Sequence, residues 1–279
     1  MLIPDQIEII TRYTEDLFDV LTENFNQSKE DINMSSVHDS RVSLRRLMAL
    51  IDVLTSLHPN TKKVLAADKK SLKKLQKRFG ATRDIHVSEK YIRDKIASLC
   101  DVKSYLEWLA SETIIIEETL TNDLKKIKFS DYLKVKDNMT QISLKIASDV
   151  SLPKVLFDTL DGVFLETIEK IEKLELSNLE TFHSVRISLK GFRYTLEILN
   201  IFDNSYKSSL NDLKELQDYL GEIQDLTVLE NMLVSCSKDL KNEFEYTCML
   251  DFINERSSFL INSFYSRRYE VLKLWEIKI

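Results

Sequence analysis

The sequence predicts an all-α protein: two four-helix bundles related by internal duplication and pseudo-twofold symmetry. Three observations carry that expectation. Four glycines and three prolines among 279 residues make about 2.5% of the chain where roughly 12% is usual, too few for the hairpins and tight crossovers that need positive φ. Apolar residues recur at helical spacing almost everywhere. Finally, the chain matches itself in two separated blocks.

Taken in order, the periodicity predicts helices at about 5–28, 35–57, 61–97, 102–128, 152–175, 178–202, 206–236 and 239–265. Breaks fall at His58-Pro59-Asn60 and at Ser151-Leu152-Pro153, because proline disfavours helix in the residue before it. Eight helices in two groups of four read as antiparallel bundles over 1–128 and 151–279. The polar segment between them, 129–150, reads as a connection with a further helix from Ser130 to Ser148.

No stretch of about 18 residues is free of charge, and the start, MLIPDQIEII, lacks a signal-peptide pattern. Membrane spanning and export are therefore not expected. Cys100, Cys236 and Cys248 form no CxxC. They read as reduced, core-filling thiols of a cytoplasmic protein.

The net charge of −6 hides an asymmetry. From His38 to Lys95 there are 15 Lys and Arg against 6 acids, hence +9, which leaves −15 elsewhere. An acidic protein with one concentrated basic stretch points to a specific anion site more than to a general nucleic-acid coat.

The repeat shows where that site lies. HDSRVSLR from His38 matches HSVRISLK from His183 at an offset of 145, and LKKLQKRFGATRDIHV from Leu72 matches LKELQDYLGEIQDLTV from Leu213 at 141. At about 100° per residue, His38, Arg41 and Arg45 share one stripe, opposite Val37, Leu44, Leu47, Ile51 and Leu54. His183, Arg186, Lys190 and Arg193 form the same stripe in the second copy, opposite Phe182, Val185, Leu189, Phe192, Leu196 and Leu199. A solvated face tolerates any polar mixture, yet both copies keep His, then Arg three residues on, then a cation four further. Only Arg193 has an acid at the i+4 spacing of a neutralising pair, Glu197.

These motifs, HxxRVxxRR and HxxRIxxKxxRY followed by LQxxFGxxxD and LQxxLGxxxD, resemble the CHAD domain, the conserved histidine α-helical domain, over about Asp5 to Leu260. The resemblance implies two bundles about a pseudo-twofold axis whose basic motif helices line a central cavity that binds inorganic polyphosphate. Residue by residue it carries over His38, Arg41, Arg45 and Arg46 from the first motif and His183, Arg186, Lys190 and Arg193 from the second. Lys73 and Lys214 match the basic position before each LQ block, and Lys77 and Arg83 complete the expected set. Met48 stands opposite Arg193, and Gly191 opposite Arg46, so the two half-sites are unequally charged. Many members also carry an N-terminal triphosphatase domain; this chain opens with helix and lacks its ExExK signature, so a standalone domain is expected.

The chemistry fits the resemblance. Polyphosphate is a run of equivalent anions, which calls for cations spaced along a track, Arg as a forked donor and Lys as a point charge. His38 and His183 either donate to phosphate, more strongly when protonated, or hydrogen-bond a neighbouring helix. The repeated acids Asp84 and Asp225 are expected to pair with motif arginines. Gly80 and Gly221, each costing roughly 1 kcal/mol in a helix relative to alanine, are expected at a close helix approach or a bend. With no P-loop, HExxH or Asp-rich metal loop, no catalytic residue, metal or cofactor is expected. Nucleic acid is disfavoured by the acidic remainder, although the same cations suit a phosphodiester backbone. The acidic outer surface leaves room for a protein partner.

Overall fold

The structure is a computed structural model and describes residues 3–145, 152–237 and 243–277, with side chains from residue 6 onward. It is all-α, and among the described residues there is no strand. Its helices are α1 (Ile3–Glu30), α2 (Met34–Leu57), α3 (Lys62–Arg78), α4 (Gly80–Tyr91), α5 (Lys103–Lys126), α6 (Ser130–Ser143), α7 (Leu152–Glu172), α8 (Leu179–Phe202), α9 (Lys207–Cys236) and α10 (Glu243–Arg267).

The two motif helices, α2 and α8, have 24 residues each and start alike. Asn33 Oδ1 accepts the backbone N–H groups of Ser35 and Ser36 at 3.1 and 2.9 Å. Asn178, 145 positions later, accepts that of Glu180 at 3.2 Å. Each asparagine thus satisfies donors that an open helix end leaves orphaned. Every apolar residue assigned to the inner faces of α2 and α8 is buried. A short 3₁₀ turn follows each helix, Pro59–Thr61 and Asn204–Tyr206, and leads into α3 and α9.

Helix α2 packs on α1, α3, α7 and α8, while α8 packs on α7, α9 and α2. Helix α4 lies against α9 as well as α5. One contiguous apolar core runs through both halves, so the motif helices meet each other across it. Helix α6 packs on α1, α3 and α2. The expected extension of α6 to Ser148 and the break at Ser151 fall partly outside the described residues.

Two expectations are corrected. The helix read over 61–97 is interrupted at Phe79 (φ −78°, ψ 1°), so α3 and α4 are separate, and α4 ends in a π-turn over Ile92–Ile96. Gly80 sits at that break, but α9 continues unbroken through Gly221, around which a Cβ would meet nothing within 4 Å; no close approach calls for glycine there. The second correction concerns the cysteines. Cys100 and Cys248 form a disulfide across 148 residues of sequence, and Cys236, buried, stands outside that bond. That bond removes the thiol argument for a cytoplasmic location. Among the described residues, no helix is long and apolar enough to cross a membrane.

Candidate functional site

Helices α2, α4, α8 and α9 bring together Arg41, Arg45, Arg83, Arg186 and Lys190, with Asp84 and Asp225 among them. Each of the five cations is partly buried. Their proximity registers in their ionisation. Burial lowers Arg41 to about 10, with repulsion from Arg45 adding to the shift and Asp84 opposing it. Burial also lowers Arg83 and Arg186, each opposed first by Asp225. Lys190 falls furthest, to about 6, through burial and then repulsion from Arg45 and Arg186.

Counter-charge is scarce at this place. Arg45, Arg83, Arg186 and Lys190 make no hydrogen bond or ion pair to a described residue, and Arg186 Nε is buried without a partner. Arg41 donates one bond, from Nη1 to the Gln76 carbonyl at 3.0 Å. A Cβ on Gly80 would stand 3.9 Å from that nitrogen, an ordinary contact.

Asp84 and Asp225 depart from expectation. Neither makes an ion pair with an arginine within 4 Å; both are raised above the usual carboxylate range because burial outweighs the pull of Arg41 and Arg83 on Asp84, and of Arg186 and Arg83 on Asp225. The cations are therefore neighbours of the acids without being fastened to them. The desolvated cations, unlike the two acids, are charges that a bound anion would relieve.

Arg46 and Arg193 take a different course. Glu197, 15% exposed, accepts from Arg46 Nε at 2.8 Å and from Arg193 Nε at 3.0 Å. Arg193 Nη1 also donates to Gln217 Oε1 at 3.2 Å, while Gln217 Nε2 donates to the Leu189 carbonyl at 2.8 Å. These two arginines form a clasp between α2, α8 and α9. The i+4 spacing revealed the Arg193 partner; the Arg46 partner, 151 residues away, had no local signal. Gln76 and Gln217 were visible as identities in the repeated LQ blocks, but their roles were not.

The histidines divide. His183 Nδ1 shares a hydrogen bond with Gln224 of α9, so it orders a neighbouring helix. His38 is exposed and faces Arg83, which stands where Gln224 stands in the other copy. Partial burial and then that arginine lower its pKa, which works against protonation at mildly acid pH. Lys73, Lys77 and Lys214 are exposed on α3 and α9, apart from the partly buried cluster.

Two clefts lie elsewhere. One of about 140 Å³ opens beside His183 and Gln224, and an open one of about 510 Å³ lies beside Cys100 and the start of α5. Neither is lined by a cation of the cluster.

The CHAD domain family matches residues 12–234, most of the chain and both motif helices, and the chain belongs to that family. In fold it is similar to the crystal structure of the CHAD domain from the plant Ricinus communis, with a TM-score of 0.67 over 96% of this chain and 89% of that one, at 17% sequence identity. No curated protein matches the chain.

Proposed function

We propose that the chain binds inorganic polyphosphate, without turnover, in the central basic region where α2, α4, α8 and α9 converge. The observation that carries this reading is the group of five part-buried basic side chains, Arg41, Arg45, Arg83, Arg186 and Lys190, which among the described residues make a single hydrogen bond, from Arg41 to a carbonyl. Like charges held together out of water are unfavourable in the free protein. A flexible, repeating polyanion relieves that repulsion and meets several donors at once.

The duplicated motif strengthens the reading, since α2 and α8 supply cations from both sides to one anion. Arg46 and Arg193, engaged by Glu197, serve here as fasteners of the motif helices. His183 has the same role through Gln224.

The test is a titration with orthophosphate, tripolyphosphate, long-chain polyphosphate, single-stranded DNA and duplex DNA at low and moderate salt. Long-chain polyphosphate is expected to bind tightest, and affinity to fall with chain shortening and with salt, because counterion release drives the binding. Equal affinity for orthophosphate and long chains, or preference for DNA, contradicts the proposal. Orthophosphate release with Mg²⁺ or Mn²⁺ that disappears in Arg186→Ala contradicts the absence of turnover.

A further inference from the structure

Helix α3 breaks the ordinary rules for charge on a helix. It carries eight cations and one acid, and the acid, Asp68, is buried and held by Asn138 of α6 at 3.1 Å. Lys62 and Lys63 occupy its first turn, where the helix dipole favours acids. Lys70, Lys73, Lys74 and Lys77 follow at spacings where like charges repel. Asp52 neutralises Lys69 and Asp123 neutralises Arg78. No described residue pairs with Lys63, Lys70, Lys74 or Lys77, and all four are exposed.

At 100° per residue those four lie within about 60° of one another, opposite the buried Leu65, Leu72 and Leu75, and span about 21 Å of helix. The equivalent stretch of α9 is unlike it. Residues 66–78 hold six cations and one acid, a net of +5; residues 207–219 hold two cations and three acids, a net of −1. The end of the α3 stripe also adjoins the inner cluster, because the Gln76 carbonyl beside Lys77 receives Arg41 Nη1 at 3.0 Å. A self-repelling, lysine-opened helix that ends at an anion site has an unmet need for negative charge along its outer face.

We infer that α3 is an outer track: Lys63, Lys70, Lys74 and Lys77 carry the overhanging end of a linear polyphosphate chain whose other end is held at the inner cluster, with no counterpart on α9. This rests on the function proposed above. It makes binding one-sided, so a long chain leaves the inner cluster over α3.

The experiment compares wild type, the triple variant Lys63→Gln, Lys70→Gln, Lys74→Gln, and a charge-matched control, Lys125→Gln, Lys126→Gln, Lys128→Gln, each checked for helicity by circular dichroism. Each is titrated with tripolyphosphate, long-chain polyphosphate and single-stranded DNA across a salt series. The α3 variant is expected to bind tripolyphosphate like wild type, to lose about tenfold in affinity for long chains at low salt, and to show a log–log salt slope shallower by about 2; the control keeps the wild-type behaviour. The inference is overturned if the α3 variant binds long chains as wild type does, if the control loses as much, or if tripolyphosphate binding falls equally, which would put these lysines in the primary site. An α3-dependent gain seen with DNA and not with polyphosphate also overturns it. Failure of the parent reading is distinct: wild type then binds neither length of polyphosphate, before any variant is made.

Discussion

Helices α2 and α8 present two kinds of arginine, and the difference lies in where one acid stands. Arg46 and Arg193 share Glu197 at 2.8 and 3.0 Å. Arg41, Arg45, Arg83, Arg186 and Lys190 have Asp84 and Asp225 nearby, with Asp39 also acting on Arg83, and none of these carboxylates forms an ion pair with them among the described residues. Fastened cations hold helices together, whereas unfastened ones hold a charge in waiting. Residue type alone does not separate them, because both kinds occur within a single HxxR motif block.

Fastening elsewhere has the largest expected effect. The Cys100–Cys248 disulfide joins the segment before α5 to α10, and Glu245, buried on α10, accepts the Tyr105 backbone N–H at 2.7 Å at the start of α5. Replacing Cys248 by serine is expected to remove about 2–5 kcal/mol of stability, read by denaturant unfolding, and to leave polyphosphate affinity at the wild-type level. A loss of affinity in the folded variant would join this region to the anion site and break the comparison.

Glu197→Ala comes next. It removes the acceptor of two charge-assisted hydrogen bonds and is expected to destabilise by roughly 3 kcal/mol. Polyphosphate affinity should hold or rise, since Arg46 and Arg193 are then released. A stable variant with weakened binding would reverse the roles assigned to the two groups.

The third effect is a pH dependence. Lys190 titrates near 6 in the folded chain and near 10.4 when unfolded, so the unfolded state binds more protons between those values and stability rises with pH through that window. A polyanion bound beside Lys190, as proposed, is expected to restore its proton. The melting temperature of the free protein should therefore climb from about pH 6 towards pH 10, and Lys190→Met should flatten the climb. Binding near pH 7.5 should take up as much as one proton, measured by calorimetry in buffers of different ionisation enthalpy. A flat profile in the wild type contradicts the burial of an unpaired amine.

What was legible in the chain follows from the range of each signal. The inner faces of α2 and α8 could be read because burial follows the helical period, and all the residues assigned to them are buried. The Phe79 break could not, since a glycine at a helix break and one inside a continuous helix look alike; Gly80 and Gly221 occupy identical places in the repeat. The cationic stripe was legible from its duplication, but the division between clasp and cluster depends on Glu197 reaching Arg46 across 151 residues. The disulfide spans 148 residues without a spacing motif to announce it. His183 and His38 diverge because Gln224 and Arg83, equivalent in sequence, offer an acceptor in one copy and a like charge in the other.

The most direct test of the central claim is the melting temperature of wild type, Arg41→Ala and Arg186→Ala, each with and without long-chain polyphosphate. If these arginines are unfastened and wait for an anion, both variants melt at or above the wild-type temperature when free, because repulsion has been removed. Polyphosphate then stabilises the wild type by about 2.7 kcal/mol at a hundredfold excess over Kd, and the variants by clearly less. Two variants that melt much earlier without ligand, yet gain as much from polyphosphate as the wild type, would show that Arg41 and Arg186 hold the fold and do not bind the anion.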